Sequence, residues 1–299
     1  MAIVLGPNQY GKAETRLVRL VRDTPTHEIT DLNVSTALRG GFDAAYLDGD
    51  QRAVLPTDTQ KNSAYVWAKK VAPDPIEAYG LALAHHFVDD VEPVEAARIE
   101  IERYDWSRIA VDGAPHDHTF VRTGQEVRTA AITLEPAATH VVQGFTGLVV
   151  LKSTGSRFRD FLVDEYTTLQ PTDDRIMATS LTARWRITEP AADLDWNGLY
   201  AEVKAMMLAR FATLDSLALQ QTLWHMARAA LEARPEIAEI RLSAPNKHHF
   251  LVDFTPFDEA NENEVFHADD RPYGLIQASA LRDDAAPAGD AWLPFSGLA

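Results

Sequence analysis

Two stretches of this chain run through the same order of elements, and that duplication constrains the fold more than any single motif. In the first, "AETRLVRLVRD" and "EITDLNVSTALRG" read as extended segments parted by Thr24-Pro25-Thr26, where proline suits a turn. A helix is predicted from Thr57, where Thr57-x-x-Gln60 fits a capping box, and another through "PIEAYGLALAHHFVDD" with Pro75 at its start. Extended segments return as "AARIEIERYDW" and "TFVRTGQEVRTAAITLE". The second stretch has strands at "HVVQGFTGLVVLKST" and "ATSLTARWRI", then helices near residues 193 to 212 and 216 to 233. Trp196, Leu199, Val203, Met206 and Met207 recur at helical spacing, as do Leu219, Leu223, Met226, Ala230 and Leu231, so each helix carries one apolar face. The last pair, "IAEIRLSA" and "HHFLVDF", alternates as a hairpin would, with "PNK" at its turn and Phe250, Val252 and Phe254 on one face.

This order predicts an α+β protein of two tandem domains, 1–137 and 138–299, each an antiparallel four-stranded sheet with two helices on one face. A length of 299 residues also favours two domains of roughly 150 residues. The uncovered sheet face then needs a partner or a cavity, and pairing of sheet edges between copies into a barrel would satisfy it.

Composition excludes several function classes. Twenty-eight basic against 44 acidic residues leave a formal charge of -16, which opposes a nucleic-acid partner. An anionic ligand would have to be attracted by local donors working against that field. The absence of cysteine removes disulfides, thiolate nucleophiles and cysteine-held metals. The opening apolar run is too short for a signal peptide and no window reaches the ~18 apolar residues of a membrane span, so a cytoplasmic location is expected. The ending "SGLA" does not match the S-K-L peroxisomal address.

Some residues suggest chemistry on their own terms. Thr57 and Asp58 open a predicted helix, where unpaired backbone N–H groups favour an anion, although simple N-capping is the plainer explanation. Arg175 carries a fixed fork of donors, but taken alone it reads as a surface arginine paired with Asp173 or Asp174. Taken alone, Gln220 reads as a polar residue near the start of the second helix, with an amide that can both donate and accept, and Phe158 reads as core. Asn246 is expected at the turn and His248 on the face of Phe250, where an imidazole suits a proton shuttle. His249 should point the other way. His116-x-His118 and the pair His85-His86 lack a third ligand at metal-site spacing and are expected to be exposed.

Taken together, "QYGKAETR", "LPTDTQKN", "LKSTGSRF", "DEYTTL", "SLALQQT", "PNKHHF" and "EVFHADDRPYGLI" occur in an order and spacing that resembles the urate oxidase (uricase) family over almost the whole length. The resemblance implies the tunnelling fold (T-fold), a dimer closing a barrel, and a homotetramer with active sites between subunits. It implies urate and O2 as substrates, 5-hydroxyisourate and hydrogen peroxide as products, and neither metal nor organic cofactor. It assigns Lys12, Thr57 and His248 to a proton relay. Thr57, Asp58, Phe158, Arg175, Gln220, Asn246 and the backbone of Leu219 would hold the purine and oxygen, with Thr57 and Asp58 reaching in from a neighbouring subunit. The chain departs from the family pattern in two places. Most members carry a different aliphatic residue at Leu219, and Arg159-Asp160 stand where the family has a glycine-containing segment. Relatives of the same fold act on pterins, some through zinc held by cysteine and histidine, which a cysteine-free chain disfavours. A purine- or pterin-binding oligomer without turnover is the remaining alternative.

Overall fold

A computed structural model describes residues 2–191 and 193–294. The elements are β1 (Tyr10–Val21), β2 (Glu28–Gly40), a short α1 (Asp43–Leu47), α2 (Thr57–Lys70), α3 (Ile76–Asp90), β3 (Val94–Tyr104), β4 (Trp106–Val111), β5 (Ala114–Arg122) and β6 (Val127–Glu135). There follow β7 (Ala138–Lys152), β8 (Met177–Ile187), α4 (Trp196–Thr213), α5 (Leu219–Ala233), β9 (Ile237–Leu251), β10 (Phe266–Asp269) and β11 (Leu275–Leu281).

The strands form one antiparallel sheet in the order β1-β2-β3-β6-β7-β8-β9-β10, with β11 also paired to β9. Two four-strand groups, β1-β2-β3-β6 and β7-β8-β9-β11, are thus fused by the β6–β7 hairpin, whose last pair is Glu135 with Ala138. The single chain leaves this sheet open, with β1 at one end and β10 and β11 at the other. Strands β4 and β5 form a separate ribbon.

Helices α2 to α5 cover one face, because their apolar stripes meet the inward residues of the strands. Ile76, Tyr79, Leu83 and Phe87 of α3 are buried in one core with Ile99, Ile101 and Ile132, and Trp196, Leu199, Val203, Met207, Leu223 and Met226 join it from α4 and α5. Gly80 lets α3 approach closely: a Cβ there would lie 2.4 Å from Cδ1 of Ile132. The opposite face is polar, lined by Arg98, Glu100, Arg184, Arg186, Glu239 and Arg241, and the final turn around Asp290 crosses it. There Arg98 donates to the carbonyls of Asp290 and Ala291, and Trp292 donates to Glu239 at 2.9 Å.

Three expectations change. The presumed hairpin at "PNK" is instead one continuous strand, so Asn246 lies within β9 and not at a turn. Its neighbours explain why: β8 pairs along one side of β9 from Lys247 to Ile237 and β11 along the other from Pro245 to Glu239. The fourth strand of the second group is therefore "LIQASAL", with "HHF" continuing β9. The capping box does not form either, because Pro56 occupies the N-cap without a side-chain bond and Gln60 turns into the core. His86 is half-buried, with its ring 5.1 Å from that of Trp67, whereas His85 is exposed. The "SGLA" terminus lies outside the described residues.

Candidate active site

One group of the expected residues is gathered by the loop after β7. Ser156 bridges to Ser216 just before α5, with Ser216 N–H donating to Gly155 O at 2.9 Å and Arg157 N–H to Ser216 O at 2.8 Å. Phe158 exchanges two backbone bonds of 2.9 Å with Thr172, and Arg175 N–H donates to Ser156 O at 2.9 Å. Residues 155–158 are thereby held between the approach to β8 and the start of α5, which carries Leu219 and Gln220. The Leu219 side chain is buried, Gln220 is exposed, and no side chain caps this helix end.

Within the loop the Arg175 guanidinium lies 5.0 Å from the centroid of the Phe158 ring, whose other contact is a stacked Phe161 at 5.0 Å. Arg175 forms no ion pair among the described residues, and its buried Nε has no hydrogen-bond partner. Both nearby carboxylates are engaged elsewhere: Asp173 pairs with Arg159 at 2.6 Å, while Asp174 accepts from Thr154 Oγ1 and Gly155 N–H. Burial pushes the Arg175 pKa below its ordinary value. A half-buried arginine with no carboxylate partner leaves its donors available to an anion. Asp160, in the departure segment, adopts a left-handed φ of 58°, the conformation a glycine takes without strain.

Strand β9 brings Asn246 and His248 to the same side. Alternation from the core residues Leu242 and Ala244 turns both toward the helical layer, and Asn246 Nδ2 lies 3.5 Å from His248 Nδ1. Asn246 is paired with Thr179 of β8, whose buried hydroxyl has no partner. His248 stacks on Phe250 at 5.6 Å, as the alternation predicts, while His249 Nδ1 meets Lys247 O at 3.1 Å. Phe161 and Thr179 were not singled out from the sequence; an aromatic three residues beyond Phe158 was the available signal for the first, and nothing marked the second.

A second group stands at the opposite end of the sheet. Lys12 lies in β1, and Thr57, which begins α2, lines a cavity of about 420 Å³ with Tyr10, Phe42, Tyr46 and Val54. Asp58 is exposed; its hydrogen bond to Lys61, with a smaller effect of Lys12, holds its carboxyl below the usual range. From β1 to β9 there are six interstrand steps, about 29 Å along the sheet. Lys12 and His248 therefore do not meet within one copy. Among the described residues no group of three or more His, Cys, Asp or Glu is placed to hold a metal; the His116 and His118 rings lie 4.6 Å apart.

An open antiparallel sheet backed by two helix pairs on one face is the architecture of a tunnelling-fold protein. The uricase family model matches residues 8–133 and 141–277. The uricase of Arthrobacter globiformis is 48% identical over 296 residues, covering 99% of this chain and 96% of its own length. That of Aspergillus flavus is 32% identical, covering 92% and 95% respectively. The crystal structure of the Arthrobacter globiformis enzyme superposes with a TM-score of 0.90 over 96% of this chain and 98% of its own. The chain belongs to the uricase family.

Proposed function

We propose that this chain oxidises urate with O2 and water to 5-hydroxyisourate and hydrogen peroxide, at sites built between copies of itself. The observation that carries this reading is Arg175, unpaired, half-buried and set over Phe158. A planar anion fits that pair, since the guanidinium fork can bond two acceptors on one edge while the ring stacks beneath. Gln220 and the backbone at Leu219 would take the remaining edge.

Urate bound there must lose a second proton before it is electron-rich enough to reduce O2. Lys12, Thr57 and His248 form the proposed relay for that proton, and Asn246 holds O2, or the water that later adds to the ring. Two electrons leave the purine and reduce O2 to peroxide; water then supplies the new hydroxyl. Urate is the reductant, so the reaction as proposed needs neither metal nor organic cofactor.

The relay requires a second copy. The two groups of residues lie at opposite ends of an open sheet, which supports pairing of the β1 end of one copy with the β10/β11 end of another. Such a dimer closes a barrel, and two barrels stacked would give the homotetramer. The repeated four-strand groups support domains at 1–137 and 138–299.

The test follows urate absorbance and dissolved oxygen together in purified, chelator-treated protein. Equal consumption of both is expected, with Lys12→Ala and Thr57→Ala each lowering kcat at least about 100-fold. Binding of urate without either loss, or activity restored only by added metal, overturns the proposal.

A further inference from the structure

We infer that Thr36 and Gln60, which contact no substrate in the proposed site, form a buried pair that sets Lys12 against Thr57. This rests on the relay proposed above and adds positioning residues to it. Lys12 needs such a support because its strand is irregular there. The β1–β2 register shifts between Lys12 and Thr15, Glu14 adopts a left-handed φ of 56°, and Glu14 N–H donates to a side chain, Ser35 Oγ, at 2.9 Å. A bulge of this kind re-aims the side chains beside it.

Lys12 lies opposite Thr36, and its N–H donates to the hydroxyl of that residue at 3.4 Å. The same hydroxyl donates to Gln60 Oε1 at 2.8 Å. Gln60 Nε2 in turn donates to the Leu55 carbonyl at 3.5 Å, which also accepts from Tyr10 Oη at 3.1 Å. A hydrogen-bonded chain thus runs from the backbone of Lys12, through β2, to the segment that begins α2 with Thr57. Both members are buried, Thr36 at 2% and Gln60 at 0% exposure.

The direction of Gln60 is informative. A glutamine three residues after Thr57 could have capped its own helix, yet it enters the core one turn below the candidate relay. Apolar side chains would fill that volume as well, but their contacts are non-directional and let a helix slide on a strand. A directional bond fixes the approach of β1 to α2, which proton transfer between Lys12 and Thr57 needs, since a misplacement of about 1 Å can cost on the order of 100-fold in rate.

The experiment compares Thr36→Val/Gln60→Leu, which removes both partners together and leaves neither of the two side chains unpaired with the other, with Thr36→Ser, which keeps the hydroxyl. Steady-state kinetics with urate are measured beside the thermal midpoint. Urate is held mainly by the Arg175 group, so the double variant should lose at least about tenfold in kcat with KM changed less than about threefold. Thr36→Ser should keep kcat within about twofold. If the double variant folds poorly, Thr36→Val against Thr36→Ser gives the same contrast. A double variant with normal kcat, or equal loss in Thr36→Val and Thr36→Ser, overturns the inference. Lys12→Ala in the same assay separates the two readings: if it is inactive while the double variant is fully active, only the positioning role fails, whereas an active Lys12→Ala removes the relay itself.

Discussion

If Arg175 binds urate as proposed, a single side chain carries recognition in a strongly acidic protein. With a formal charge of -16 the molecule repels anions at long range, so attraction has to arise where water is excluded and the charge is unshared. Asp173 and Asp174, its sequence neighbours, are both satisfied elsewhere, which keeps the guanidinium available. Replacing it should remove uniform binding more than chemistry. Arg175→Ala is expected to raise KM for urate by about 10- to 100-fold, as loss of a charged hydrogen bond predicts, with a smaller change in kcat. Arg175→Lys should fall between, since an ammonium restores charge without the fork. Initial rates over a range of urate concentrations measure both; an unchanged KM in Arg175→Ala would remove this residue from the site. The Arg159–Asp173 pair suggests a related effect: Arg159→Ala frees Asp173 to compete for Arg175 and should raise KM several-fold in the same assay, at about the scale of one charge pair near a surface.

Between elements, the strongest specification lies in a buried polar network rather than in the apolar stripes. Glu77 of α3, wholly buried, receives both carboxylate bonds from Arg128 of β6 at 2.8 and 3.0 Å and a third from Gln143 of β7 at 2.8 Å. Gln143 also reaches the Trp196 carbonyl and accepts from Trp185, and Arg128 reaches Asn197, so the network ties α3 to α4 across the β6–β7 junction. Arg128→Met should cost about 3–5 kcal/mol by leaving Glu77 without its buried counter-charge, and adding Glu77→Leu should recover much of it. Urea midpoints at fixed protein concentration check this, and equal stability of the single and double variants would contradict it. None of this was legible in the sequence, because the contacts join α3, β6, β7 and α4 across 51 to 69 residues of chain. The helices and most strands were legible, because their spacing of Leu, Met, Ile and Phe records which face is buried. "PNK" misled because Pro and Asn favour turns locally, while the pairing of β9 with β8 and β11 is a tertiary effect. Pro245 keeps its place in β9 since the pairs to β8 pass from Asn246 to Ser243, leaving its missing N–H unneeded. The candidate site was legible only through the joint order of its motifs; the separation of Lys12 from His248 depends on strand order, which no local pattern encodes.

At the scale of the whole molecule, that separation gives a quantitative expectation. In the proposed assembly a single copy should be inactive, and twofold pairing of two copies would create two equivalent sites, each taking Lys12 and Thr57 from one copy and Arg175, Asn246 and His248 from the other. Thr57→Ala and Arg175→Ala should therefore each inactivate a homo-oligomer at low urate, for different reasons. When the two variants are co-expressed in equal amounts, about half of the dimers combine one of each; in these, one site carries both changes and the other neither. Activity should return to about a quarter of the wild-type value at random mixing, with wild-type KM because the restored sites are unaltered. Mixing the separately purified homo-oligomers without dissociation should restore nothing. Recovery only on co-expression, read with urate absorbance and with two affinity tags to isolate the mixed species, would place the two groups on different copies. No recovery in an isolated mixed oligomer would mean that each copy builds its site alone, and the sheet would then have to close on itself.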